Sequence, residues 1–153
     1  MFGNRTVEFW AIMTITKTKT RAARITDNAN DLAKMIQMYL NEGTYGGIRY
    51  LDKKQVEKYT SCTECRNGNR RGLGFDKPEP DKDKNGPSID NISLESYGHT
   101  GFTGTMVWAD PATGILYIFL SNRVYPDAVS NKLAEMDVRT NVQKIIYEAM
   151  IVK

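Results

Sequence analysis

The residues best suited to chemistry lie in one segment, 96–105, which reads Ser-Tyr-Gly-His-Thr-Gly-Phe-Thr-Gly-Thr. It contains His99, the only histidine of the 153-residue chain, followed directly by Thr100 and Gly101. A strand that ends in His-Thr-Gly places an imidazole, a hydroxyl and an unhindered backbone N–H side by side, and such groups hold and polarise a carbonyl. We therefore predict that this segment forms one wall of a carbonyl-binding site. The competing interpretation is a strand-end histidine that its neighbours satisfy.

A second pair of reactive residues, Cys62 and Cys65, forms a single C-x-x-C sequence. A closed zinc site needs two further ligands, and His99 belongs to a different motif, so we expect no metal site. The flanking residues are typical of a loop and lack the strand-to-helix setting of thioredoxin-like motifs. Two loop cysteines that pair in an oxidising compartment are therefore favoured over a redox-active pair, and no cofactor is expected.

Composition and charge exclude several classes of protein. Hydrophobic residues at 41% and charged residues at 25% are typical of a globular protein, and no apolar run is long enough for a membrane span. The net charge of +3 comes from residues 1–24, which hold five basic residues and one acidic residue. A basic segment on a neutral body, without interleaved aromatic residues, does not indicate a nucleic-acid partner. We find no signal peptide.

Hydrophobic periodicity predicts two main helices. The first spans 27–42, with Asp27 as the N-terminal cap, Gly43 at its end, and a buried stripe made of Leu32, Met35, Ile36, Tyr39 and Leu40. The last begins at Asp137, and its stripe consists of Val138, Val142, Ile145, Ile146, Ala149 and Met150. A shorter helix is predicted over 52–59.

Three strands are predicted near the histidine, over 97–100, 105–110 and 115–121, and the last two form a hairpin around a Pro-Ala-Thr-Gly turn. The loop residues 77–87 carry three prolines and alternating charge, so we expect them to be a solvated excursion. An antiparallel sheet followed by a one-sided helix predicts an α+β fold. Within residues 1–25, apolar side chains alternate over 7–15 as in a strand, but the segment does not fit the pattern of the rest of the chain. We therefore separate an atypical, poorly ordered segment, 1–25, from a domain at 26–153.

Over residues 26–150 the chain resembles the C-terminal part of penicillin-binding-protein-like serine hydrolases. This β-lactamase-related family includes class C β-lactamases, D-Ala-D-Ala carboxypeptidases and esterases. The resemblance depends on the order and spacing of five pieces: Asn28-Ala29-Asn30-Asp31-Leu32-Ala33, Gly72-Leu73-Gly74-Phe75, His99-Thr100-Gly101, the hairpin at 108–120, and Ser121-Asn122-Arg123-Val124-Tyr125-Pro126. The segments are especially similar to β-lactamase-type domains fused to family 3 glycoside hydrolases in Bacteroidetes. The resemblance implies a partial serine β-lactamase or transpeptidase fold that lacks its N-terminal half.

In that family an S-x-x-K serine attacks a carbonyl, a Y-x-N motif assists proton transfer, and a K-T-G or H-x-G strand binds substrate. By resemblance His99 takes the place of the lysine, Thr100 hydrogen-bonds the substrate, Gly101 allows close approach, and the N–H of Phe102 is one oxyanion-hole donor. None of the six serines is followed by lysine at the third position. Tyr39-Leu40-Asn41 matches Y-x-N only by its letters, because it lies on the apolar stripe of the first helix.

We therefore predict the C-terminal fragment of an acyl-serine hydrolase, which carries the substrate-binding strand but not the nucleophile and is inactive alone. The resemblance implies a small ester, amide or β-lactam substrate and a periplasmic or extracytoplasmic location. The alternative is a non-catalytic binding or interaction module that associates with a missing N-terminal half, or with itself, through an exposed sheet edge.

Overall fold

The computed structural model describes residues 9–13, 29–63, 65, 69–125, 127–129 and 131–151. In chain order the elements are β1 (Phe9–Met13), α1 (Ala29–Leu40), β2 (Thr44–Tyr45), β3 (Ile48–Arg49), α2 (Lys53–Thr60), β4 (Tyr97–Thr100), β5 (Met106–Asp110), β6 (Ile115–Leu120), α3 (Lys132–Glu135) and α4 (Val138–Ile151). This mixture of helices and antiparallel strands confirms the α+β prediction. Within these ranges, each helix is too short or too polar to cross a bilayer.

Four strands form the main sheet in the order β1-β6-β5-β4, and β2 pairs with β3 in a separate small ribbon. The three strands predicted near the histidine are antiparallel neighbours, whereas β1 is parallel to β6, with Phe9 opposite Leu116. Beyond this strand, the rest of the separated segment 1–25 lies outside the described residues. An isolated bridge from Asp76 to Gly98 adds backbone bonds at the outer edge of β4, so part of the expected open edge is covered.

Helix α1 packs on one face of the sheet and forms the first hydrophobic core. Its buried residues and those of the facing strands are Ala29, Leu32, Ala33, Ile36, Tyr97, Ala109, Leu116 and Ile118. The predicted stripe is correct at Leu32 and Ile36 but wrong at Met35, which is 46% exposed. The two small residues, Ala29 and Ala33, face the sheet and let the helix lie close to it. With this side of the helix turned to the sheet, Met35 faces outward.

Helix α1 ends in a motif that differs from the predicted glycine stop. The N–H of Gly43 donates to Met38 O (2.8 Å) and the N–H of Glu42 donates to Tyr39 O (3.0 Å), which is the bond pattern of a Schellman motif. Glu42, with φ of 55°, therefore occupies the left-handed position of the motif, and Gly43, which follows it, also has a positive φ, of 94°. Gly43 is needed for a second reason, because a Cβ there would lie 2.1 Å from Leu51 O.

Helix α4 covers the other face of the sheet and closes the second core, whose buried members are Ile92, Met106, Trp108, Tyr117 and Phe119. Its predicted stripe is correct at Val138, Val142 and Ile146 but wrong at Ile145, Ala149 and Met150, which are exposed. Two polar residues of the helix face the core instead. Gln143 is fully buried and accepts a hydrogen bond from Ile89 N–H (3.2 Å), and Tyr147 donates a hydrogen bond to Asp110 Oδ2 (3.1 Å). Polar anchoring therefore sets the rotation of the helix.

Strand β4 is held to the second core by one tryptophan. Trp108 lies opposite Gly98 in the antiparallel register, and its indole N–H donates to the buried Ser96 Oγ (2.9 Å). A Cβ at Gly98 would lie 2.3 Å from the indole ring and 2.2 Å from Val107 O. The ring therefore occupies the space that any side chain at position 98 needs, one residue before the histidine.

Within the loop between α2 and β4, the segment 77–87 that we predicted to be solvated begins with buried residues. Lys77 is only 7% exposed, and its amine donates to Thr60 O (3.0 Å) and Glu95 O (2.8 Å). It thereby ties the end of α2 to the start of β4, beside the Tyr97 ring at 5.7 Å. Burial lowers the pKa of the Lys77 amine to about 8. The expectation of a solvated excursion is wrong here, because an amine that reaches two backbone carbonyls can be buried.

The same loop contains a disulfide between Cys62 and Cys65, with a Cα–Cα distance of 5.6 Å. This distance is ordinary for a disulfide. The structure therefore pairs the two loop cysteines with each other.

We expect Gly98→Ala to lower the free energy of unfolding by about 2 to 3 kcal/mol, because overpacking against an indole and a backbone carbonyl cannot relax freely. Urea denaturation followed by tryptophan fluorescence measures the change. Gly101→Ala is the matched control, since the nearest atom to its Cβ would be 3.6 Å away. Equal stability of Gly98→Ala and Gly101→Ala would contradict the packing described for Trp108.

The buried amine of Lys77 predicts a pH dependence of stability. Because its folded pKa of about 8 lies below the ordinary 10.5, the unfolded chain binds more protons between these values, and the contribution of Lys77 to stability rises with pH in that window. Urea midpoints of the wild type should therefore increase relative to Lys77→Met from pH 8 toward 9.5. Lys54→Met controls for the loss of one exposed positive charge. If the difference in urea midpoint between the wild type and Lys77→Met became smaller over this pH range, the predicted direction of the pH dependence would be wrong.

Candidate functional site

Strand β4 presents its two last residues to opposite faces of the sheet. His99 lies opposite Val107, which packs against the first core, and Thr100 lies opposite Met106 in the second core. Successive side chains of a strand alternate in this way. His99 and Thr100, which the sequence analysis placed in one site, therefore project on different sides of the strand end.

The His99 side chain is exposed, and its Nδ1 lies 2.8 Å from Thr100 O. A carbonyl oxygen only accepts hydrogen bonds, so Nδ1 is the nitrogen that carries the proton in this contact. In the neutral ring the lone pair is then on Nε2, which makes no hydrogen bond within the described part of the chain. The imidazole is thus accessible and is held through its inner nitrogen by its own strand.

Beyond β4 the chain turns tightly over residues 101–105. The N–H of Gly101 donates to Thr105 O (2.7 Å), and the N–H of Gly104, with φ of 90°, donates to Gly101 O (2.9 Å). A trans peptide points its N–H and C=O in opposite directions. Because Gly101 C=O is directed into the turn, the N–H of Phe102 is directed out of it, and this N–H makes no hydrogen bond to the described residues.

The residues after β6 bind this turn from the side. Ser121 Oγ (3.1 Å) and the N–H of Arg123 (3.0 Å) both donate to Thr103 O. Arg123 Nε donates to Phe102 O at 2.7 Å, and its guanidinium lies over the Phe102 ring at 4.4 Å from the centroid. The ring is nevertheless 72% exposed. We refer to Ser121, Asn122 and Arg123 as the 121–123 segment.

A cleft of about 230 Å³ opens beside the turn, on the side of α4. Its lining residues come from the strand end, the 121–123 segment and the start of the last helices: Thr100, Gly101, Phe102, Gly104, Arg123, Asn131, Leu133 and Arg139. The structure thus brings together three of the four predicted site residues, Thr100, Gly101 and Phe102, and leaves His99 outside the lining of this cleft.

The cleft carries positive charge from Arg123 and Arg139. Neither guanidinium forms an ion pair with the residues that the structure describes. Burial lowers the pKa of Arg139, and the proximity of Arg123 lowers it further. The main chain of Arg139 is held near the sheet because Tyr117 Oη donates to Arg139 O (2.9 Å).

Sequence reasoning assigned no role to either arginine. Arg139 had a detectable signal, because it is the second residue of α4 and a cation is unfavourable at the positive end of a helix dipole. A cation in that position indicates a constraint other than helix stability. Arg123 had no such signal, since only the fold brings it next to Phe102.

Each serine hydroxyl that the structure describes is either buried or hydrogen-bonded within the fold. Ser96 is fully buried under the Trp108 indole, Ser88 is 5% exposed, and Ser121 donates to the turn. Ser61 Oγ donates to Lys58 O (3.3 Å), and Ser93 Oγ accepts from Glu95 N–H (3.1 Å). Ser130 lies outside the described residues. None of these five hydroxyls is hydrogen-bonded to a lysine amine or an imidazole, which are the groups that activate a serine.

Tyr39, the letter match to Y-x-N, is half-buried and packs against the first core. Its ring meets Phe75 edge-to-face, with centroids 5.2 Å apart and an interplanar angle of 81°. Phe75 in turn contacts Tyr97 at 5.0 Å. This tyrosine therefore joins α1 to the sheet, as expected for a residue of the apolar stripe.

The chain is similar to several bacterial proteins whose names are those of a carboxypeptidase and an amidase. It is 28% identical over 112 residues to a protein of Salmonella gallinarum named as a D-alanyl-D-alanine carboxypeptidase, a match that covers 72% of this chain and 25% of that protein. A similarly named protein of Salmonella typhi matches equally. The N-acetylmuramyl-L-alanine amidase of Bacillus subtilis is 29% identical over 107 residues, covering 70% of this chain and 24% of the amidase. The chain thus spans about a quarter of the length of these relatives.

The model of the family described as Beta-lactamase matches residues 5–140. The matched region contains β4, the turn at 101–105, the 121–123 segment and Arg139, and it extends into the segment 1–25 that sequence analysis set apart. Since the match covers most of the sequence, this chain belongs to the beta-lactamase family of serine hydrolases.

Proposed function

We propose that the end of β4 and the turn that follows form the substrate-binding wall of an acyl-serine hydrolase. The observation that carries this proposal is the outward-directed, unbonded N–H of Phe102 at the rim of a cleft that Thr100 and Gly101 also line. An N–H held in this way is the kind of donor that stabilises the oxyanion of a tetrahedral intermediate.

The four residues have distinct roles in this proposal. The Thr100 hydroxyl donates a hydrogen bond to the substrate, and the absence of a side chain at Gly101 lets the ligand approach the backbone. Phe102 supplies one oxyanion donor through its N–H. His99, in the place of the family's lysine, contacts the ligand from the other face of the strand end, which requires a substrate that extends around Thr100 rather than one confined to the cleft.

The nucleophile belongs to an S-x-x-K serine outside these 153 residues. The support is the absence of a lysine three positions after any serine of the sequence, together with the structural environments of the five described hydroxyls. The reaction is attack on an ester, amide or β-lactam carbonyl to give an acyl-enzyme, which water then hydrolyses. The carboxypeptidase and amidase names of the relatives favour a small peptide amide as the substrate.

We expect the chain alone to be unreactive toward a fluorophosphonate probe, a chromogenic cephalosporin and a p-nitrophenyl ester, because a donor without an activated serine has nothing to acylate. Mass spectrometry of the intact protein measures labelling, and an active serine hydrolase treated in parallel verifies the probes. Covalent modification of any serine here, removed by its replacement with alanine, would overturn the assignment.

Binding without turnover tests the proposed wall directly. We expect N-acetyl-D-alanyl-D-alanine to shift the amide resonance of Phe102, and Thr100→Val to weaken that binding by about tenfold, as for the loss of one hydrogen bond to a charged group. Thr113→Val, in the turn between β5 and β6, is the matched control and should bind as the wild type does. Equal affinities of the Thr100 and Thr113 variants would remove Thr100 from the site.

A further inference from the structure

The direction of the Phe102 N–H depends on how three successive carbonyls of the turn are held. Gly101 C=O accepts from Gly104 N–H within the turn, and the two following carbonyls are bound from outside it. Phe102 C=O accepts from Arg123 Nε, and Thr103 C=O accepts from the N–H of Arg123. One arginine thus supplies a main-chain and a side-chain donor to adjacent peptides.

We infer that Arg123 is a positioning residue, which fixes the peptide planes around Phe102 and so aims its N–H at the cleft. The N–H of Phe102 belongs to the peptide that joins Phe102 to Gly101, so its direction is set by ψ of Gly101 and φ of Phe102. The bond from Gly104 N–H to Gly101 O closes a ring that contains this peptide and the two that follow, and Arg123 acts on it by holding those two. The 2.7 Å bond to Phe102 O restrains the peptide that follows, while the turn restrains the peptide that precedes. That the N–H is an oxyanion donor rests on the proposed function; that Arg123 orients it does not.

The side chain has to be an arginine to make both contacts together. A guanidinium is planar, so it can donate from Nε to the Phe102 carbonyl while its face lies 4.4 Å from the Phe102 ring. A lysine amine in the same place is a point charge with no face to stack. The 121–123 segment approaches the turn closely because Gly104 has no side chain; a Cβ there would lie 2.5 Å from Ser121 Oγ.

Nitrogen-15 relaxation of the full chain tests this role. In the wild type we expect the Phe102 amide to be rigid, with an order parameter near ~0.85, and in Arg123→Lys we expect a fall toward ~0.6. Arg49→Lys is the matched control, because Arg49 also donates to backbone carbonyls, of Glu42 and Leu51, but belongs to the separate ribbon of β2 and β3. An unchanged order parameter at position 102 in Arg123→Lys would overturn the inference.

A second variant keeps the test decisive if the lysine substitution disturbs folding. Phe102→Leu removes the stacked ring and leaves the bond between Arg123 and the carbonyl of residue 102. We expect the amide at position 102 to stay rigid in this variant. If it becomes mobile, the contact between the Arg123 guanidinium and the ring orders the turn, and the inference that Arg123 acts through its bond to the carbonyl of residue 102 is overturned.

The ligand arm separates this inference from the proposed function. With N-acetyl-D-alanyl-D-alanine as the probe, we expect affinity to fall about tenfold in Arg123→Lys and to be unchanged in Arg49→Lys. If the wild type does not bind the peptide but the order parameters change as expected, the proposed function fails and the positioning role stands. If the peptide binds wild type and Arg123→Lys alike, the positioning role fails and the proposed function stands.

Discussion

The contact between the Trp108 indole and Gly98 is the constraint on which the rest of the site depends. It joins the second core to β4 at the residue before the histidine, and the indole N–H bond to Ser96 fixes the approach to the strand as well. With position 98 fixed, alternation along the strand decides that His99 and Thr100 face opposite sides. The site is therefore set by packing from one face of the sheet and by backbone bonds along its edge.

The turn after β4 obtains its rigidity from sequence-distant partners. Ser121 and Arg123 follow β6 in the sequence, yet they donate hydrogen bonds to two carbonyls of the turn. The hairpin between β5 and β6 brings these segments together, because Met106 and Phe119 are cross-strand neighbours at the end nearest the turn. A donor array held by hydrogen bonds from outside costs little reorganisation when a ligand arrives.

The sequence was sufficient to predict the strands near His99, the hairpin and the existence of both long helices, since each has a clear period and a recognisable turn or cap. It was insufficient for helix rotation. Met35 and Ile145 satisfy the helical period but are exposed, because Ala33 on one helix and Gln143 on the other determine which side meets the sheet. Counting apolar residues cannot detect a buried glutamine whose partner is a backbone N–H 54 residues away.

The cleft was harder to predict than the strand, for the same physical reason. Thr100, Gly101 and Phe102 are contiguous and carry a motif, whereas Arg123 and Arg139 reach the cleft only through the fold. Their two guanidinium groups form no ion pair among the described residues, and the Asp137 carboxylate offsets only part of the charge of Arg139, so the local potential is positive although most of the chain is balanced in charge. Such a potential draws small anions from solution and weakens over a Debye length of about 8 Å at physiological ionic strength. Sulfate or phosphate in a buffer consequently competes with any acidic ligand there, and affinities measured at low and high salt will differ for reasons unrelated to shape.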